Sequence, residues 1–447
     1  MNTLRTICLL ACLVATVCAA PNSRQPNNKS LKPTEWLSPS KLEQLPSLDA
    51  VSWQQLEMMP AQKGAEWMQH LYHLSQINHD ISPSFVPSAS NIPTFIVQPN
   101  GQNLSTTLSQ LVSKAKQQQN FGDQEVTIFI TGLPQQSNTV AKATQKLVQA
   151  YQQRHNEQQQ HQQHNQEHHH HHHGNGHGNG GDNNAQSSSE EDYNESGNEG
   201  RSNAEPCGNL IVIDLGATLN TFKRFAMIDV EKTGDMIGKA IVQLTNQANV
   251  PHEIVHIVGQ GIAAHVAGAA GRQYTRLTGH QLRRITALDP SKIFAKNPNT
   301  LTGLARGDAD FVDAIHTSAH GIGTPARVGD VDFFPNGPSA KVPGADNIIE
   351  ASMRATRYFA ESLVPGNERN FPAVAARSLE EYKNKDGHGK RAYMGINTEF
   401  DLEGDYMLEV NAKAPFGKRA PAQKQNTYHG MHQSWNKNTR SNSQDYE

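Results

Sequence analysis

Gly259-Gln260-Gly261-Ile262-Ala263 is the stretch whose residue types and spacing bear most directly on chemistry. A β-branched run, Ile254-Val255-His256-Ile257-Val258, leads into it, and Ala264-His265-Val266-Ala267-Gly268 leads out. The pattern reads as strand, glycine turn and helix. A sharp turn of that kind can hold a serine hydroxyl where it attacks an acyl carbon, with the signature Gly-x-Ser-x-Gly. Here the central position is Gly261 and the last glycine has become Ala263. The central residue of such a turn is strained, and glycine takes the required dihedrals at little cost. The turn is kept and the attacking atom is gone. An ordinary turn between strand and helix in a parallel sheet reads the same way at these positions.

Acyl transfer also needs a histidine base, a carboxylate to orient it and donors for the oxyanion. In α/β-hydrolases the chain order is nucleophile, acid, histidine. Downstream, Ile285-Thr286-Ala287-Leu288-Asp289-Pro290 puts Asp289 at a strand end, a fit place for the acid, although Asp before Pro is by itself a common turn. Ser318 and His320 stand close together in His316-Thr317-Ser318-Ala319-His320. Neighbours at that spacing do not supply a base oriented by an acid. His316 and His320 also lack a third ligand at a recognised metal spacing. Both histidines are read as structural or surface residues, and no metal or cofactor is expected.

Residues 94–97, 125–131 and 210–214 are short apolar β-rich runs, with further strands expected at 284–288 and 311–316. Helical stretches at 140–151 and 233–247 separate them. The fold class expected is α/β, an α/β-hydrolase with a mainly parallel central sheet buried on both faces. Ahead of it, 34–77 reads as a helical extension. Ser40 with Glu43 and Ser52 with Gln55 have capping-box spacing, and Trp67, Met68, Leu71, Tyr72 and Leu74 make one apolar face. Between 152 and 205 glutamine and histidine, including the run from His168 to His173, give way to Gly/Asn repeats and then acidic residues. That composition does not offset ordering entropy, so 152–205 is expected to be a disordered insertion within one domain, a polar spacer and not a metal tract.

The organisation expected is a signal peptide at 1–20, an arm and helical extension at 21–92, the hydrolase domain at 93–420 and a flexible polar tail at 421–447. The signal reading rests on Arg5, an apolar run from Ile7 to Val17 too short to span a bilayer, and Ala19-Ala20. No membrane insertion is expected, and a net charge of −3 over 447 residues gives no reason to expect a nucleic-acid partner. Of 4 cysteines, Cys8, Cys12 and Cys18 fall in the signal, leaving Cys207 without an internal partner. We expect it buried.

Several blocks resemble the neutral lipases of the pancreatic lipase family. Gly259-Gln260-Gly261 with Ala264-His265-Val266-Ala267-Gly268 resembles that family's elbow, and Ala287-Leu288-Asp289-Pro290 its catalytic aspartate segment. Phe311-Val312-Asp313-Ala314-Ile315-His316-Thr317 and Gly329-Asp330-Val331-Asp332-Phe333-Phe334-Pro335-Asn336-Gly337 match two further blocks. The resemblance covers 93–132 and 209–363. It implies that Asp289 is retained as the acid, that Gly261 occupies the nucleophile position, and that Ser352 occupies the base position, two residues before Arg354. Thr131-Gly132-Leu133 resembles the oxyanion loop but lacks the usual His-Gly, and the lid is short, without its cysteine pair.

A lipase fold with glycine at the nucleophile and no base also resembles the yolk proteins of higher flies. That resemblance implies secretion into haemolymph, uptake through an oocyte endocytic receptor, association with other yolk chains and deposition in yolk granules as a nutrient store. It also implies, as an alternative, a carrier of a steroid-hormone conjugate or acyl ester in a pocket near Gly132, Leu133, Gln260, Gly261 and Ile262. An active lipase using bound water is a third, remote reading. Sequons stand at Asn28, Asn103 and Asn194. The segment Ser187-Ser188-Ser189-Glu190-Glu191-Asp192-Tyr193 offers phosphorylation at the three serines and sulfation at Tyr193, with Tyr446 a second acidic-context tyrosine.

Overall fold

The structure, a computed structural model, describes residues 47–78, 81–97, 103–118, 121–171, 207–296, 302–338, 341–385 and 390–418. The expected signal peptide, the Ser40–Glu43 cap and the polar tail lie outside these residues.

The strands are β1 (Pro93–Val97), β2 (Asn103–Thr107), β3 (Glu125–Ile130), β4 (Cys207–Ile213), β5 (Val255–Gln260), β6 (Arg284–Leu288), β7 (Phe311–Ile315), β8 (Val331–Pro335), β9 (Pro372–Ala375), β10 (Arg391–Tyr393) and β11 (Gly404–Leu408). They form one 11-stranded sheet in the order β10-β9-β11-β8-β7-β6-β5-β3-β4-β1-β2. From β4 to β11 every pairing is parallel. Antiparallel β1–β2 and β9–β10 finish the two edges. β3 and β5 to β8 are buried at every residue, as expected of strands covered on both faces.

The longer helices are α1 (Trp53–Met58), α2 (Ala61–Asn78), α3 (Asn138–His171), α4 (Val230–Gln247), α5 (Ile262–Thr278) and α6 (Ile348–Leu363). Period-2 alternation divides the core. Ile128, Ile257, Ile285 and Val312 stand in register across β3, β5, β6 and β7 and belong to the larger apolar cluster. Phe129 and Val258, one residue on, face the second cluster with Tyr358 and Phe359 of α6. On the first face α4 and α5 approach closely, because a Cβ at Gly234 would come within 2.2 Å of the Ala269 Cβ.

Two expectations need correction. The insertion was read as structureless from residue 152, but α3 runs on to His171. Gln, Glu and His are compatible with helix once a turn is seeded, and the segment from Asn138 seeds it with buried Val140, Ala143, Leu147 and Tyr151. Residues 172–206 lie outside the described ones, as does the Cys207 side chain, although Cys207 opens β4 opposite Glu125. The second correction is the sheet's extent. β2, β8, β9, β10 and β11 were not read as strands, being polar at the edge or short and interrupted.

Candidate functional site

The C-terminal ends of parallel strands are where open α/β sheets place their sites, and the three positions named from sequence, Gly261, Asp289 and Ser352, meet there. Gly261 follows β5 directly and caps α5 with φ 61° and ψ −123°. Its N–H donates to the Leu288 carbonyl at 2.9 Å, and its carbonyl accepts from Ser291 N at 3.2 Å, so the elbow grips the end of β6 on both sides of Asp289. A Cβ at Gly261 would stand 3.2 Å from Ser291 Oγ, 3.7 Å from Leu133 Cγ and 4.0 Å from the Gly132 carbonyl. Residue 261 is thus covered by the loop that follows β3.

Asp289 has φ 50° and is fully buried. Its Oδ1 accepts from Thr317 N at 2.9 Å and Ser318 N at 2.8 Å, and its Oδ2 from Ser318 Oγ at 2.5 Å. Thr317 Oγ1 in turn donates to the Ser352 carbonyl at 3.3 Å. The three positions named from sequence are therefore linked, Gly261 through β6 to Asp289 and Asp289 through Thr317 to Ser352. The acid orients a loop where a triad would have it orient a base. Ser352 Oγ and Ser291 Oγ are buried with no hydrogen-bond partner among the described residues, and Gln260 donates to Thr356 Oγ1 at 3.1 Å.

The oxyanion segment is equally committed. A Cβ at Gly132 would lie 1.9 Å from the Gln260 carbonyl oxygen, so the Thr131-Gly132-Leu133 backbone is in direct contact with the elbow. Thr131 Oγ1 donates to Asp214 Oδ1 at 2.7 Å. Gly132, Leu133, Gln260, Gly261 and Ile262, named as pocket residues, are all buried. A cavity of about 420 Å³ lies elsewhere, between α2, residues 317–321 and the start of α6, with Gln62, Glu66, His320, Lys341 and Ile348 among its lining.

The N-terminal extension closes this end of the sheet. Ser52 accepts from Gln55 N and Gln55 Oε1 accepts from Ser52 N, the capping box expected of α1. Trp53 Nε1 donates to the Leu219 carbonyl at 3.1 Å, and its ring meets Phe222 and Phe225 edge-on. Ser137 Oγ donates to Glu57 at 2.9 Å and Ala61 N to the Asp346 carbonyl at 2.9 Å. Gln76 and Tyr72 reach Phe294. α1 and α2 therefore touch the loops after β3, β4 and β6 and the start of α6. The sequence announced two helices with an apolar face; no local signal said which loops that face would cover.

His265, His316 and His320 each have hydrogen-bond partners within the fold. Leu304 N donates to His265 Nδ1 at 3.0 Å, which leaves the proton on Nε2 to donate to the Ser291 carbonyl at 2.7 Å. Burial lowers His265 to about 4, with the Ser291 hydrogen bond opposing. The unfolded chain binds a proton near 6.5 that the folded chain refuses until about 4, so stability is lost as pH falls through that window. Between pH 7 and pH 4.5, the wild-type chain is expected to lose about 2–3 kcal/mol more than a His265→Asn variant; urea melts at the two pH values measure the difference. His316 bonds Thr324 and Asp332, whereas His320 bonds Gln69, so the two do not converge on one ligand. Lys292 donates to the carbonyls of Ala319, Gly321 and Gly323, pinning the loop around Asp289.

One constellation was missed from sequence. His256 Nε2 lies 2.8 Å from Thr286 Oγ1 and its Nδ1 lies 3.7 Å from Glu125, a hydroxyl, imidazole and carboxylate in a row. Thr286 commits its proton to Asp313 at 2.8 Å, and all four side chains are buried. Register alone would have found it, since His256 pairs with Arg284, two residues before Thr286, and Thr286 pairs with Asp313. It is a structural network. Asn103 is exposed at the start of β2; Asn28, Asn194, Tyr193, Tyr446, Ser187, Ser188 and Ser189 lie outside the described residues. Among those described, no helix is long and apolar enough to cross a membrane.

Comparison with known proteins agrees with this geometry. A family model described as Lipase matches residues 97–416. The chain is 60% identical to Vitellogenin-1 of Ceratitis capitata over 438 residues, covering 97% of this chain and 98% of that protein. It is 54% identical to Vitellogenin-3 of Drosophila melanogaster over 431 residues, covering 96% of this chain and 99% of the relative. Pancreatic triacylglycerol lipase of Cavia porcellus is 33% identical over 201 residues, 39% of this chain and 42% of the enzyme. With a family model across most of its length and fly vitellogenins matched nearly end to end, the chain belongs to the lipase family and, within it, to the fly vitellogenins.

Proposed function

We propose that this chain is a secreted yolk storage protein built on a catalytically silent lipase fold. It enters haemolymph, is taken up through an oocyte endocytic receptor together with other yolk chains, and is laid down in yolk granules for the embryo. The observation that carries the reading is its similarity to vitellogenins over nearly the whole of both chains. Silence is supported by the site. Residue 261 has no side-chain oxygen, the base position holds a buried serine, and the carboxylate of Asp289 is taken by Thr317 and Ser318. A nucleophile without an activating base is weak, and here neither is present. Depleting the transcript in laying females tests storage: eggs short of yolk protein are expected, and normally provisioned eggs would overturn the reading.

A second reading, a carrier of an apolar ligand such as a steroid-hormone conjugate or acyl ester, is favoured by the 420 Å³ cavity beneath α2. That cavity sits beside the acid and base positions and not at the five residues first named. Solvent extraction and mass spectrometry of protein purified from its source decide it: a stoichiometric ligand supports carriage, and an empty extract removes it.

A further inference from the structure

The two edges of the sheet are protected differently. β10 ends one side; it is only 3 residues long, and Lys390 and Arg391 place positive charge on it. β2 ends the other side; it is 5 residues long, Asn103-Leu104-Ser105-Thr106-Thr107, with no charge and no proline. Its outward N–H and C=O groups face no strand among the described residues, and β-rich Ser/Thr edges of this kind template pairing with another chain. The same strand carries a sequon, and the alternation of its side chains sets both Asn103 and Ser105 on the exposed face while Leu104 turns toward the core.

We propose that Asn103 carries an N-linked glycan and that this glycan shields the β2 edge from pairing with β2 of a second copy. Transfer joins the Asn103 side-chain nitrogen to C1 of the first sugar of a lipid-pyrophosphate-linked oligosaccharide. The C1–oxygen bond to phosphate breaks, the lipid pyrophosphate leaves with that electron pair, and the amide nitrogen releases one proton. The product is bulky and strongly hydrated, attached at the first residue of the strand that needs cover. A glycan here substitutes for the lysine or proline that other edges use. The inference depends on passage through the secretory pathway, not on yolk storage.

The full chain, secreted from a glycosylating eukaryotic host, provides the test. Enzymatic release of N-glycans in heavy-oxygen water, followed by peptide mass measurement, is expected to mark Asn103 as occupied. In sedimentation velocity, Asn103→Gln is expected to grow in sedimentation coefficient with concentration beyond the wild type. The double variant Asn103→Gln/Ser105→Lys, bare but charged at the edge, is expected to return to wild-type behaviour. An unmodified Asn103 in the wild-type chain, an Asn103→Gln variant that sediments as wild type, or an association that Ser105→Lys does not relieve would each overturn the proposal.

Discussion

Replacing Asp313 with alanine is expected to destabilise the fold by about 3–5 kcal/mol, the usual cost of stranding a buried charge. Arg284 on β6 and Asp313 on β7 are diagonal neighbours, two residues apart in register, at 3% and 0% exposure. The guanidinium donates through Nε and Nη2 to the two carboxylate oxygens at 2.8 Å each, and spends its other bonds on the Gly395 and Ile396 carbonyls. Burial works against the Arg284 charge, and the Asp313 carboxylate, helped by Glu125 and Tyr151, offsets it and holds the group above its ordinary value. Without Asp313 the largest part of that compensation is gone, and Thr286 loses its acceptor as well. The double variant Arg284→Met/Asp313→Leu removes both charges and is expected to recover most of the loss, since apolar replacement of a buried pair is often neutral or stabilising. Urea unfolding of the two variants against wild type measures both effects. A single variant within about 1 kcal/mol of wild type would mean that water reaches the pair.

Gly132→Ala is expected to cost about 3 kcal/mol or more, the upper range for forcing atoms into a packed core. The new methyl would meet the Gln260 carbonyl oxygen at 1.9 Å and Ala263 N at 2.7 Å, and both are backbone atoms of the elbow. No rotamer change relieves such a contact; either the loop after β3 or the β5–α5 turn has to move. Gly216 backs the same loop, with its own Cβ position 2.1 Å from the Leu133 carbonyl oxygen. Three backbone segments therefore meet at van der Waals contact over the former site. A Gly307→Ala control carries the backbone cost of a positive φ of 86° with nothing within 4 Å of the new methyl, so a drop in melting temperature clearly larger in Gly132→Ala than in Gly307→Ala would show the steric cost.

Much of this was legible in the chain before folding. The β-branched runs at 125–130, 255–258, 284–288 and 311–315 are strands because they are buried on both faces, and such strands read as unbroken apolar or β-branched stretches. The elbow was legible because glycine at 259 and 261 marks a turn with unusual dihedrals, and Gly261 has them. What was not legible depends on partners distant in sequence. β2 is polar and becomes a strand only because β1 offers it an edge. The helix of α3 continues into glutamine and histidine because its first turns are anchored beneath β4 and α6, a fact held by tertiary packing. The pocket was placed at the catalytic positions by resemblance; the cavity beneath α2 could not be read there, because α2, supplied from before the lipase-like region, forms one wall of it only in the fold. Ser318 as the partner of Asp289 could have been suspected from its place after His316-Thr317, but only the fold brings its hydroxyl to the carboxylate.

The most direct test of a silent lipase fold is treatment of the native, full-length protein with a fluorophosphonate probe, followed by intact mass measurement and an ester-hydrolysis assay on the same sample. No adduct is expected, and a hydrolysis rate equal to that of buffer, because no activated oxygen stands at residue 261 and no base at 352. A stoichiometric adduct on any residue, with hydrolysis abolished by the same treatment, would contradict this and show that the chain has built a nucleophile elsewhere.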